Sequence, residues 1–197
     1  RGGDLLNKEP FEAYVAEQAQ SNVDLGSLKF DWTSPDLKHS LSSYLSAQLM
    51  KRDSYYGGGD PVDSITSEST PEEIENYNVR MSSFGRTVDK TYVLGTQYIY
   101  KMDRLWFMPA DLTAGVEYVE DRLTDKGGYR EEDIVQKTRT KSLYLQNEWK
   151  NDRLGLLIGG RLDKHNLIKN AIISPRANIR YNPSKDINLR FSYGQGF

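Results

Sequence analysis

The 197-residue sequence contains no cysteine. Disulfide frameworks, thiolate metal sites and cysteine nucleophiles are therefore excluded. Histidine is nearly absent too, with only His39 and His165, so a zinc site built on several imidazoles is not expected. No apolar run is longer than the four residues of Ala13–Ala16 or Leu105–Met108. A membrane-crossing helix needs about 18 or more, and none is possible here. No charged stretch followed by an apolar one opens the chain, so no secretory leader is read. The opening Arg1-Gly2-Gly3-Asp4 and the final Phe197 are read as the ends of an internal fragment. Neither sign of charge prevails: 26 basic residues face 28 acidic ones, for a net charge of −2. Sequence-independent binding to nucleic acid needs a basic surface, and no nucleic-acid partner is expected. The phosphate-cradling, nucleophile-elbow and zinc-protease motifs are all missing. Glu117, Glu120 and Asp121 bring carboxylates together without a nucleophile or oxyanion donors nearby, so no enzyme is expected.

What the sequence does have is aromatic residues and a period of two. There are 13 tyrosines and three tryptophans, residue types that favour strands and places with one apolar and one wet end. Strict apolar/polar alternation runs over Ser27–Thr33, Pro109–Tyr118, Arg176–Asn182 and Asp186–Gly194. One such run arises by chance in a chain of this length, but several do not. Looser strand patterns cover Ser40–Met50, Lys90–Lys101, Thr140–Trp149 and Leu154–Asp163. No sustained helical repeat with caps is read, and the best helical pattern is Pro10–Ala19, with Phe11, Tyr14, Val15 and Ala19 at mixed spacing.

Short connections with turn chemistry lie at Ser34–Lys38, Met102–Met108, Lys150–Arg153 and Asn182–Asp186. Between them come longer polar links at Arg52–Asp89, Asp121–Lys137 and His165–Ala171. The expected fold is therefore all-β, an antiparallel meander of about eight strands in four hairpins. Short turns on one side and long loops on the other are the habit of outer-membrane barrels, whose strands cross the apolar slab in about 9–11 residues. Trp32, Trp106, Phe107, Trp149 and Tyr181 all sit at the short-turn side, as an interfacial aromatic girdle requires. The same pattern also suits a soluble β-domain that binds a ligand or partner and fills its core with these rings. The faces of the last hairpin sort into Ala177, Ile179, Tyr181, Ile187, Leu189, Phe191 and Tyr193 on one side and Arg176, Arg180 and Arg190 with Asn178 and Asn188 on the other. The arginine face meets water in the soluble reading and a polar lumen in the barrel reading. In either case a carboxylate such as Asp163 is a candidate partner.

The stretch Ser142–Arg161 (SLYLQNEWKNDRLGLLIGGR) and the stretch Ile173–Phe197 (ISPRANIRYNPSKDINLRFSYGQGF) resemble the barrel of TonB-dependent outer-membrane receptors of Gram-negative bacteria. Asp4–Gln18 and Leu105–Tyr118 fit the same pattern, and the similarity is greatest to the branch of vitamin B12 and ferric-siderophore receptors. The resemblance implies that residues 1–197 are a partial barrel domain, a segment of a 22-stranded transmembrane barrel, without the plug domain or TonB box of such receptors. It implies a location in the outer membrane, contact with its lipid, coupling to the TonB complex through an N-terminal region not in this chain, and import of a small nutrient, a corrinoid or a ferric siderophore. Ligand contacts are then expected on the outside, at Tyr55, Tyr56, Asp60 and Asp63, with Arg176, Arg180 and Arg190 lining the lumen. No metal or other cofactor is expected. Calcium ligation by Asp60, Asp63, Glu72, Glu73 and Glu75 was weighed because calcium takes six to eight oxygens, but the spacing matches no standard loop. Sidedness is directly testable on the full-length parent in intact cells. A membrane-impermeant thiol reagent should label Ser67→Cys and leave Ser184→Cys unlabelled; the opposite pattern reverses the orientation.

Overall fold

The computed structural model describes residues 15–58, 65–128 and 130–196. In chain order the elements are β1 (Val15–Thr33), β2 (His39–Gly58), α1 (Pro71–Ser82), β3 (Phe84–Leu105), β4 (Met108–Gly127), β5 (Ile134–Lys150), β6 (Leu154–His165), β7 (Ile172–Ser184) and β8 (Ile187–Gly194). All eight strands form one sheet in the order β1-β2-β3-β4-β5-β6-β7-β8. Each of the last three pairings is antiparallel. The sheet is open, with β1 and β8 as its edges. Leu112–Tyr118 and Ile187–Tyr193 are both strand, as their alternation predicts.

Two of the expected boundaries are corrected. The polar links at 52–89 and 121–137 are strand at both ends, because β2 continues to Gly58, β3 begins at Phe84, β4 reaches Gly127 and β5 starts at Ile134. The strand parts of these segments break strict alternation but hold no proline, so the ladder continues through them. Strands of 17–22 residues in β1–β5 are accordingly about twice the length a slab crossing needs. The second correction is α1, which lies inside the segment read as loop. Thr70 is its N-cap and accepts from the Glu73 amide while the Glu73 carboxylate accepts from the Thr70 amide, a capping box with Pro71 in the first turn. The signal Thr70-Pro71-Glu72-Glu73 was present in the sequence. It was masked by a weak apolar stripe behind it. The helical pattern at Pro10–Ala19 is not helix where described: residues 15–19 belong to β1, and residues 10–14 lie outside the described residues.

Packing divides the chain into two units. The first draws on residues up to 25, 48–91 and 121–137; the second on 26–47, 92–120 and 138 onward. In the second unit the cross-strand register keeps the two faces distinct. Trp149 pairs with Leu156, Leu145 with Gly160, and Leu143 with Leu162. Ile158 pairs with Ala177, and Ile179 with Phe191. This face is apolar and bare: Leu143 is 53% exposed, Ile158 51% and Phe191 63%. A contiguous apolar surface of this size marks an interface, and no other layer of the described residues covers it. Two of its polar residues satisfy each other, since the Ser43 and Thr96 hydroxyls lie 2.9 Å apart.

At the short-turn end of that face the aromatic residues cluster as expected. Trp149 stacks on Trp106 at 5.5 Å and on Phe107 at 5.9 Å and packs against Met108 and Ala110. Its indole N–H donates to the Leu105 carbonyl at 3.2 Å. Trp106 holds φ at 60°, a left-handed turn conformation that is costly for a bulky residue, and the stack fixes it there. Nearby, His39 stacks on Tyr100 at 4.8 Å.

On the opposite face, two tyrosines lie flat on glycines. A Cβ at Gly95 would come within 2.3 Å of the Tyr44 ring, and one at Gly115 within 2.2 Å of the Tyr144 ring. Only glycine lets the rings descend onto the neighbouring strands. Gly115→Val or Gly95→Val should therefore lift a ring and destabilise the barrel by about 1–3 kcal/mol. Urea unfolding of the folded full-length receptor measures this; an unchanged midpoint for both would contradict it.

Candidate functional site on the polar face of the sheet

The two flattened tyrosines anchor a polar network in the second unit. Tyr44 on β2 reaches past β3 and donates to Glu117 on β4 at 2.5 Å. Tyr144 on β5 reaches back past β4 and donates to Gln97 on β3 at 3.0 Å. The hub is Arg161 on β6. Its guanidinium donates to Glu117 at 2.7 Å, to Asp163 at 2.8 Å and to the Ser142 hydroxyl at 2.7 Å. Ser142 in turn donates to Asp163 at 2.5 Å. The Asp163 side chain is only 3% exposed, so its charge depends on these partners. Because β5 pairs Ser142 with Asp163 and Tyr144 with Arg161, register alone brings these groups together. Glu117 and Arg161 are 44 residues apart, a separation no local pattern reveals. The sequence pattern therefore groups Glu117 with Glu120 and Asp121 and does not single out Arg161.

Arg176, Arg180 and Arg190 share this face, since Arg176 pairs with Gly159 and Arg180 with Arg190. The expected alternative partner, Asp163, is taken by Arg161 instead. Arg180 donates to the Asn151 carbonyl at 3.0 Å and Arg190 to the Asn188 side chain at 2.8 Å. Among the described residues none of the three arginines forms an ion pair. A cleft of about 590 Å³ lies between Glu117, Tyr144, Arg161 and Ser174 on one side and Arg176 on the other. This surface can take up an acidic or hydrogen-bonding guest through fixed donors. It holds no nucleophile set against a base.

In the first unit the residues expected to touch ligand are placed differently. Tyr55 is not on a loop. It lies in β2, is 2% exposed and packs its ring on Phe84 at 4.7 Å. Burial makes it a structural residue and removes it as a stacking platform. Tyr56 is 43% exposed on the opposite side of the strand. Asp60 and Asp63 lie outside the described residues. Glu72 and Glu73 fall in the first turn of α1 and not in a loop; Glu73 serves the capping box and both suit the helix dipole. Charges at the strand ends are matched: Arg86 pairs with Asp53 at 2.6 Å and Lys126 with Asp133 at 2.8 Å. Asp125, seven residues beyond the alternating run that ends at Tyr118, accepts from the Thr87 hydroxyl at 2.7 Å and from Arg130. The Thr87 hydroxyl first, and then Arg130, hold its carboxyl below the usual range.

A family model described as "TonB dependent receptor-like, beta-barrel" matches residues 3–197. The chain belongs to the TonB-dependent receptor β-barrel family. The TonB-dependent receptor chain is also similar to the solved siderophore receptor PirA from Acinetobacter baumannii, at 18% identity and a TM-score of 0.57, covering 85% of this chain and 24% of that one. The chain thus spans about a quarter of that structure. Comparison with curated protein sequences returned no match. Membership places the chain in the outer membrane of a Gram-negative bacterium. Of the two readings of the alternation, the family is that of the barrel reading.

The Arg161 network should behave as one unit. Arg161→Met leaves Asp163 and Glu117 without their cation and should cost about 2 kcal/mol, between the values for exposed and buried pairs. Glu117→Gln in the Arg161→Met background should cost much less than it does alone. Urea unfolding of the full-length receptor measures the cycle, and simple additivity would show that the network is not coupled.

Proposed function

We propose that the parent protein imports a scarce nutrient across the outer membrane, with a ferric siderophore as cargo and a corrinoid as the second choice, driven by energy delivered through TonB. Family membership over residues 3–197 carries this reading. The siderophore choice is supported by the similarity to a receptor that carries that name. Within the parent, this chain supplies wall and loop. The apolar face of β3–β8 meets lipid, and the Arg161 network with Arg176, Arg180 and Arg190 faces the lumen, where arginines suit an acidic guest or the acidic surface of a plug. The short turns face the periplasm and the longer connections face outward, following the habit of outer-membrane barrels. The connection between β2 and β3, with α1, Tyr56, Asp60 and Asp63, then belongs to the surface that meets the ligand first.

The test is uptake by cells carrying the full-length gene. Under iron depletion, growth on the cognate ferric siderophore should need both this receptor and TonB. Replacing residues 59–82 by a short Gly-Ser linker should cut uptake at least about tenfold while the barrel still resists heat denaturation. A receptor that supports corrinoid growth alone moves the reading to the second cargo. Undiminished uptake of every compound by the loop-replaced receptor would falsify the assignment of 59–82 as ligand-facing.

A further inference from the structure

On the lipid side of the β5–β6 pair the ladder changes character abruptly. From the aromatic end upward the paired residues are Trp149 with Leu156, Asn147 with Ile158, Leu145 with Gly160 and Leu143 with Leu162. The next outward pair is Lys141 with Lys164. Two like charges directly opposite each other destabilise a sheet, so their retention at this rung calls for a compensating anion. The sheet does not supply one. Glu120 is engaged by Arg139 at 3.0 Å and by the Tyr118 hydroxyl at 2.7 Å. Lys141 is exposed, and among the described residues it has no hydrogen bond or ion pair. Among the described residues Lys164 donates only to neutral groups, the carbonyls of Ile168 at 2.9 Å and Lys169 at 2.7 Å, which leaves its third N–H open there. Lys169 adds another cation on the adjoining connection.

The height of this cluster identifies its partner. Lys141 is eight residues from Trp149, about 27 Å along the strand. At a tilt near 40° that is about 20 Å along the membrane normal, close to the roughly 25 Å height of an apolar band. Trp149 with Trp106 and Phe107 marks one interface, so the lysines stand at the other, at the level of the headgroups. We infer that Lys141 and Lys164, with Lys169 beside them, form a binding site for the phosphates of a phosphorylated lipid of the outer leaflet. The acyl chains of that lipid would run down the Leu143, Leu145, Ile158 and Leu162 surface. The inference rests on the outer-membrane barrel fold and not on which nutrient is carried. Cationic side chains at a membrane surface hold anionic lipid with a strength of about a fivefold change in affinity per lysine.

The experiment uses the full-length receptor in phosphatidylcholine nanodiscs carrying bisphosphorylated lipid A, with bound lipid counted by native mass spectrometry and affinity read by competition. Lys141→Gln should weaken lipid A binding about fivefold and Lys141→Gln with Lys164→Gln about 25-fold. Lys141→Arg with Lys164→Arg should retain it, and Lys185→Gln, at the opposite turn, should leave it unchanged. Lipid A stripped of phosphate should bind the unaltered receptor as weakly as bisphosphorylated lipid A binds the double glutamine variant. If that variant fails to fold, the single glutamine and double arginine variants carry the comparison. Undiminished binding by Lys141→Gln, equal binding of the dephosphorylated lipid, or inorganic phosphate binding as tightly as lipid A would each overturn the inference. Since nutrient uptake is not the readout, failure here leaves the transport reading standing, and the converse holds.

Discussion

Inside a hydrocarbon slab no water is available to a peptide group, so each backbone N–H and C=O has to be satisfied by a neighbouring strand. The rest of this structure follows from that constraint. Consecutive strands must pair in order, which gives the sequence-ordered ladder from β1 to β8. Because side chains alternate strictly along a paired strand, each residue is committed to lipid or to the opposite face. A slip of one position would exchange the two sets entirely. The exposed band of Leu143, Ile158 and Phe191 and the polar network around Arg161 are thus two consequences of one register.

The two faces are stabilised by different chemistry. The apolar face finds no cover among the described residues, so its largest side chains are bare, and an aromatic cluster gathers around Trp149 at one end of it. The opposite face keeps its charges in a connected set. Arg161 answers two carboxylates, and Asp163 accepts from Arg161 and Ser142. Tyr44 and Tyr144, pressed onto Gly95 and Gly115, tie β2 to β4 and β5 to β3. Such cross-strand ties stiffen the wall without thickening it, leaving room for whatever occupies the interior. Arg176, Arg180 and Arg190 stand outside this connected set and give the far part of the face its positive character.

The strands continue well past the length that crossing requires, and the extra length in β2–β4 is used differently. There neighbouring strands are joined by ion pairs such as Arg86 with Asp53, and the connection between β2 and β3 contains the capped helix α1. Tyr55, packed on Phe84, belongs to this framework. Tyr56, one position on, has the opposite orientation and remains open. Adjacent tyrosines thus have opposite fates for the same reason that the whole sheet has two faces.

Period-two alternation, tight turns at Pro35, Asn151 and Pro183, and aromatic residues beside them determined the fold class, the strand order and the short-turn girdle, because these depend on local spacing alone. The capping box at Thr70 was equally local and was overlooked because a helix was not expected between long strands. The strand ends at Gly58, Phe84 and Gly127 were not legible, since polar residues extend a ladder whenever a neighbouring strand is there to pair with them. The face that meets lipid was likewise undetermined by pattern, because alternation looks the same around a soluble core. Only the tertiary structure decided which charges meet. Arg161 finds Glu117 and Asp163, and Lys141 confronts Lys164, through registers set between strands distant in sequence. Pairing energy belongs to the assembled sheet and not to any segment of it.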